Sequence, residues 1–96
     1  MPSLQQIKKI LQDIKPELAA KYFVSAIGIF GSTVRGDQHH DSDIDLLVAF
    51  DRPIGIAFID LADYVEHRLQ HKVDLVSKAG IKPKYLQQIE KEVVYV

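Results

Sequence analysis

The chain has 96 residues, a formal net charge of −1 at pH 7 and an apolar content of 47%, and these values predict a single globular domain over residues 1–96. The near-neutral charge and the scattered lysines argue against a dedicated nucleic-acid-binding module, and no apolar run reaches the roughly 20 residues that a membrane-spanning helix needs. Cysteine is absent and no signal-like segment opens the chain, which excludes disulfides and thiolate metal sites and favours a cytoplasmic location.

The N-terminal segment is predicted to be helical. Ser3 has the position of an N-cap, and Gln6 completes a capping box three residues later. Pro16 disfavours helical geometry at Lys15, so we expect a break or kink there, followed by a second short helical turn over residues 17–22. The apolar residues of the first part follow at helical spacing, at Ile7, Ile10, Leu11 and Ile14.

Apolar runs predict the strands. Three of them are long enough to be buried strands, over residues 23–30, 44–50 and 72–77. A shorter run over residues 93–96 is expected to add an edge strand or to dock as an apolar tail.

Helices are predicted between and after these strands. An apolar stripe runs from Phe58 to Leu69 at helical spacing, and Pro83 is expected to begin a final helix that turns Leu86 and Ile89 inward. Strands separated by helices indicate an α/β (α+β) fold, in which helices cover a small mixed sheet of three or four strands.

Carboxylates alternate with apolar residues where the second predicted strand begins. Asp43 and Asp45 are expected on the same side of the chain, because successive side chains of a strand point to opposite faces. Adjacent carboxylates raise each other's cost of ionisation, a penalty that a divalent cation removes. Asp74 interrupts the third apolar run and is expected to supply another ligand. The three residues therefore predict a magnesium site, with two ions about 3.5–4 Å apart.

A Gly-Ser turn precedes these acids. Gly31 follows the first predicted strand and allows close backbone approach, and Ser32 is expected to begin a short helix that runs toward Arg35. The N–H groups at such a helix start attract phosphate, and the Ser32 hydroxyl adds a hydrogen-bonding group. A plain turn is the simpler interpretation of Gly31-Ser32 alone. Arg35 either contacts a triphosphate or forms an ion pair with Asp37, Asp41 or Asp43, and the sequence leaves both open.

The full pattern is Gly31-Ser32-x-x-Arg35-Gly36, then Ser42-Asp43-x-Asp45-Leu46, and later Asp74. It resembles the nucleotidyltransferase superfamily that includes DNA polymerase beta. It is most similar to the minimal nucleotidyltransferase (MNT) branch, whose members are small prokaryotic proteins, many of them antitoxins paired with HEPN-domain toxins. The resemblance covers essentially the whole chain and implies the polymerase beta-like nucleotidyltransferase fold.

The resemblance also implies a reaction and a set of roles. By it, Asp43, Asp45 and Asp74 are the metal-binding catalytic residues, and Gly31 and Ser32 bind the triphosphate. A hydroxyl would attack the α-phosphorus of a nucleoside triphosphate, taking up a nucleoside monophosphate and releasing pyrophosphate. Among antitoxins of this kind the implied donor is ATP and the implied acceptor is a tyrosine of the HEPN toxin, with which the chain would form a hetero-oligomer.

Two other functions fit part of the same pattern. A non-catalytic antitoxin would act by complex formation alone, although an idle site has no physical need for three clustered carboxylates. A transferase acting on a small molecule or an RNA end would use the same motif, but the length and the near-neutral charge fit it less well. The sequence leaves the nucleotide base, the acceptor and the number of units transferred open.

Overall fold

The computed structural model describes residues 2–96. The elements in this range are α1 (Leu4–Tyr22), β1 (Val24–Phe30), α2 (Ser32–Arg35), β2 (Ile44–Phe50), α3 (Ala57–Leu69), β3 (Val73–Ser77), α4 (Pro83–Glu90) and β4 (Val94–Tyr95), with a 3₁₀ turn at Lys78–Gly80. Each predicted strand is confirmed to within one residue of its expected ends. Across residues 2–96, no helix is long and apolar enough to cross a membrane.

The capping box at the start of α1 is confirmed. The Gln6 backbone N–H donates to the Ser3 hydroxyl at 3.2 Å, and the Ser3 N–H donates to Gln6 Oε1 at 2.8 Å. These reciprocal bonds satisfy two backbone donors, so the helix begins at a defined residue.

The expected break at Lys15 is wrong, because α1 continues through Pro16 to Tyr22. Proline removes one backbone hydrogen bond from a helix interior, and here its ring lies on the exposed side. The buried side chains keep helical spacing on both sides of it, at Ile7, Leu11, Ile14, Leu18 and Tyr22. The packing of this continuous apolar face outweighs the local cost of the proline.

The sheet is mixed, as predicted. Its strand order is β3-β2-β1-β4, with β1 antiparallel to both β2 and β4, and β2 parallel to β3. The parallel pair requires a crossover connection, which α3 supplies. Because α3 and α1 pack against each other and against the sheet, both helices cover the same face.

The residues on that covered face form the core. Strands β1 and β2 contribute Ile27, Ile29, Ile44, Leu46 and Val48, and α3 contributes Leu61, Val65 and Leu69. Each fully buried aliphatic side chain contributes about 1.5–3 kcal/mol. Because side chains alternate along a strand, the intervening residues, Asp45 among them, face the opposite side of the sheet. This opposite side of the sheet carries Asp45 and its neighbour Asp74.

Replacement of Pro16 by alanine is expected to stabilise the protein. Alanine restores the missing N–H donor and avoids the clash with the preceding turn, so the free energy of unfolding should rise by about 1–3 kcal/mol. Urea denaturation followed by circular dichroism measures the change, with Gln12→Ala, an exposed site of the same helix, as control. A loss of stability in Pro16→Ala would contradict the argument.

Candidate functional site

Three strands bring Asp45, Asp74 and the Gly31 turn together on the face of the sheet opposite α1 and α3. Asp45 of β2 lies beside Asp74 of β3 in the parallel register, and on its other side it pairs with Phe30, the last residue of β1. Gly31 follows directly. Asp45 and Asp74, which are far apart in the sequence, are thus neighbouring carboxylates next to the Gly-Ser turn.

Gly31 is held in a conformation that favours glycine. Its φ is 77° and its ψ is −149°, a combination almost confined to residues without a Cβ. A Cβ built on this residue would lie 2.1 Å from Asp45 Oδ2. The missing side chain is therefore what allows the Asp45 carboxylate to approach the turn.

The short helix predicted at Ser32 is confirmed. The Gly31 carbonyl accepts the N–H groups of Val34 and Arg35, both at 3.1 Å. The helix ends at Arg35 and is capped by Gly36, which has the left-handed φ of 82°. The turn therefore reverses the chain directly after β1 and presents Arg35 on the same side as Asp45.

A cleft of about 520 Å³ collects part of the predicted site. Gly31, Arg35, Asp45 and Asp74 line it. Ser32 follows Gly31 in the chain and Asp43 comes two residues before Asp45, but neither lines the cleft. Asp43 is exposed and comes one residue before β2 begins. The lining also includes residues that were not predicted from the sequence to belong to the site, namely Ile81, Tyr85, Gln88, Ile89 and Glu92.

Arg35 forms the ion pair with Asp37 that was one of its two expected roles. Its Nε donates to Asp37 Oδ2 at 3.3 Å. Its Nη1 donates to Glu92 Oε1 and Oε2, both at 3.2 Å. Glu92 was missed by sequence reasoning, and the available signal was a carboxylate next to the apolar run that forms β4.

Burial and the charges of the acidic cluster that Asp45 forms with Asp43 and Asp74 change the ionisation of Asp45. Its pKa is raised from 3.8 to about 6. Burial is the largest cause, since desolvation disfavours the charged form, and the charges of Asp74 and Asp43 come next. Arg35 partly offsets this effect and Glu92 adds to it. Asp45 thus carries a charge that its surroundings do not fully compensate.

The donor chemistry of this cluster fits a magnesium ion shared with a phosphorylated ligand. Among residues 2–96, no three acidic, histidine or cysteine side chains are arranged to hold a metal ion by themselves. Magnesium, however, is commonly bound by one or two carboxylates together with substrate phosphates and water. Asp45 and Asp74 supply such a pair, and a cation there would relieve the repulsion that, after burial, contributes to the raised pKa of Asp45.

Comparison with known proteins identifies the family. A family model described as a nucleotidyltransferase domain matches residues 4–96. The chain belongs to this nucleotidyltransferase family. A relative from Thermococcus cleftensis, named protein adenylyltransferase MntA, is 43% identical over 97 aligned residues, which cover 100% of this chain and 98% of the relative. The predicted enzyme class is therefore confirmed.

Solved structures show the same fold as this nucleotidyltransferase. One, provisionally designated a minimal nucleotidyltransferase, has a TM-score of 0.82 and 30% identity, and the match covers 97% of this chain and 95% of that one. Another is a tri-AMPylated Shewanella oneidensis HEPN toxin in complex with an MNT antitoxin, with a TM-score of 0.60 and 26% identity over 95% of this chain and 66% of that one. The predicted MNT resemblance and fold are confirmed.

Replacement of Gly31 by alanine in this nucleotidyltransferase should displace Asp45 or the turn itself. We expect Gly31→Ala to lower the free energy of unfolding by at least about 1 kcal/mol more than Gly55→Ala does. Gly55 also has a positive φ, of 56°, but a Cβ there meets nothing within 4 Å. Equal losses in the two variants, measured by urea denaturation, would show that the contact with Asp45 is unimportant.

Asp45→Asn should stabilise the protein at neutral pH. A carboxyl with a folded-state pKa of about 6 and an unfolded value of 3.8 binds its proton more tightly when folded, so its contribution is favourable at low pH and is lost as the pH rises through about 6. The melting temperature of the variant should exceed that of the wild type at pH 7.5, and the difference should vanish by pH 4. Metal-free buffers and the exposed-site variant Asp13→Asn provide the controls, and a gain independent of pH would refute the assignment.

Proposed function

We propose that this nucleotidyltransferase uses ATP and Mg²⁺ to transfer AMP to a hydroxyl of a partner protein. The proposed acceptor is a tyrosine of a HEPN-domain toxin, so that the chain acts as an antitoxin. The observation that carries the proposal is the cleft in which Asp45, Asp74 and the Gly31 turn converge, in a chain that matches a protein adenylyltransferase over its full length.

The proposed roles follow from position and charge. Asp43, Asp45 and Asp74 would hold the magnesium ions, which when bound supply positive charge to the triphosphate and to the attacking oxygen. Asp43 does not line the cleft, and it would reach it by a change of side-chain conformation, since it lies exposed just before β2.

The turn after β1 is proposed to hold the triphosphate. N–H groups at the start of α2 and the Ser32 hydroxyl can bond phosphate oxygens, and Gly31 allows the backbone to approach them closely. Arg35 lines the same cleft, and its guanidinium can neutralise charge on the phosphates.

The proposed reaction balances without a further reagent. The acceptor oxygen bonds to the α-phosphorus, the bond from that phosphorus to the bridging oxygen breaks, and pyrophosphate leaves with the bonding electrons. The hydroxyl proton passes to a carboxylate of the acidic cluster. Because α1 and α3 cover the other face of the sheet, the acceptor must approach from the open side of the cleft.

The support for a protein acceptor comes from the relatives. The Thermococcus cleftensis relative is named a protein adenylyltransferase, and the Shewanella oneidensis complex contains an AMPylated HEPN toxin beside its MNT antitoxin. The two similarities cover 100% and 95% of this chain, so the same class of acceptor is the one to test first.

Intact-protein mass spectrometry tests the proposal. A HEPN-domain protein from the same organism, incubated with this chain, ATP and Mg²⁺, should gain one or more adenylyl units. Asp45→Asn and Asp74→Asn should slow the transfer by about 100-fold or more, because each removes charge that the reaction requires. Asp13→Asn, on the exposed side of α1, should transfer at the wild-type rate.

Other results would redirect the proposal. A stable complex that inhibits the toxin without ATP, and equally well with Asp45→Asn, would indicate a binding antitoxin. Transfer at the wild-type rate by both aspartate variants would refute the proposed catalytic site.

A further inference from the structure

Glu92 makes two contacts with the cleft from a distant part of the chain. Its Oε1 accepts the Gly31 N–H at 3.0 Å across 61 residues of sequence, and both of its carboxylate oxygens lie 3.2 Å from Arg35 Nη1. One side chain therefore joins the first and last residues of the turn proposed to bind the triphosphate. Its side chain is 27% exposed, so these contacts are partly shielded from water.

The position of Glu92 follows from the pairing of β4 with β1. Ile29 pairs with Val94 and Gly28 pairs with Tyr95 in an antiparallel ladder. Continuing this register beyond Val94 places Glu92 opposite Gly31. The strands can approach closely because residue 28 is a glycine, and a Cβ there would lie 2.6 Å from Val93 Cγ2.

The bond to Gly31 satisfies a buried group. Gly31 is buried, and a buried N–H without a partner destabilises the folded state. An ionised acceptor makes a stronger hydrogen bond than a neutral one. Glu92 therefore favours the Gly31 conformation in which Asp45 fits against the turn.

The contacts to Arg35 restrict a long and otherwise mobile side chain. Asp37 holds Nε and Glu92 holds Nη1, which leaves the Nη2 donors for another partner. The Arg35 side chain is 51% exposed and would sample many rotamers without these two acceptors. Fixing it before a ligand arrives reduces the entropy lost on binding.

We propose that Glu92 is a positioning residue of the nucleotide site. It holds the Gly31 N–H and the Arg35 guanidinium in the arrangement that receives the triphosphate, and so links the C-terminal segment to the cleft. The identity of the ligand, a nucleoside triphosphate, rests on the proposed function. The direction of the effect of Glu92 on triphosphate affinity is informative. A carboxylate near the phosphates would by charge alone weaken their binding, whereas a positioning residue strengthens it.

Calorimetric titration with ATP and Mg²⁺ tests this role. Glu92→Ala should raise the Kd for ATP at least about tenfold, and Glu92→Gln, which keeps an acceptor for Gly31 but loses the charge facing Arg35, should raise it by about threefold. Glu90→Gln is the matched control, since Glu90 lies two residues away and pairs with Lys78 at 3.3 Å. The control should bind ATP like the wild type.

A double-mutant cycle separates positioning from general destabilisation. In an Arg35→Gln background, Glu92→Gln should have little further effect on the Kd, because the partner that it orients is gone. With saturating ATP, the rate of transfer by Glu92→Gln should stay within about twofold of the wild type, so that the loss appears in KM and not in kcat. Unchanged or tighter ATP binding by Glu92→Ala, or full additivity with Arg35→Gln, would overturn the proposal.

Amide hydrogen exchange tests the role of Glu92 independently of nucleotide. The Gly31 amide should be protected in the wild type and should exchange at least about tenfold faster in Glu92→Ala, while Ile29 in the core of β1 is unaffected. If the wild type does not bind ATP, the proposed function fails, and protection of Gly31 by Glu92 still decides whether Glu92 positions the turn. Equal Gly31 exchange in both proteins would overturn the inference.

Discussion

The carboxylate of Asp45 occupies the space that a side chain on residue 31 would need. A Cβ at Gly31 would lie 2.1 Å from Asp45 Oδ2, so the turn and the acid can exist together only with glycine there. This contact joins the end of β1 to the start of β2. The parallel register of β2 and β3 then places Asp74 beside Asp45. The whole candidate site depends on that close approach.

The site also depends on a core located on the other side of the same strands. Ile44 and Leu46 are completely buried beneath α1 and α3, and Asp45 between them must therefore face away. The period of two along β2 thus separates the stable core from the cleft that holds Asp45 within a few residues. A carboxyl on this face is partly desolvated and lies near other acids, which explains why the pKa of Asp45 reaches about 6.

Sequence reasoning succeeded where structure follows local pattern and failed where distant packing decides. It placed the capping box, the strands and the helix start at Ser32, all of which depend on neighbouring residues. It predicted a break or kink at Lys15, and the break is wrong, because the local penalty of Pro16 was visible and the packing of α1 along the sheet was not. It missed Glu92, because that residue reaches Gly31 only through the β1–β4 register.

The amino-acid sequence by itself determined the order of elements, the motif around Gly31 and the acidic residues of the candidate site. Periodicity, capping and the Gly-Ser and Asp-x-Asp spacing are properties of neighbouring residues, so they can be read without coordinates. The sequence predicted that Asp74 joins Asp45, but only the tertiary structure gave the parallel register that pairs them. It alone also decided that Asp43 lies outside the cleft lining and that Glu92 contacts both ends of the turn. Those facts depend on strand register, which is set by the packing of the whole sheet.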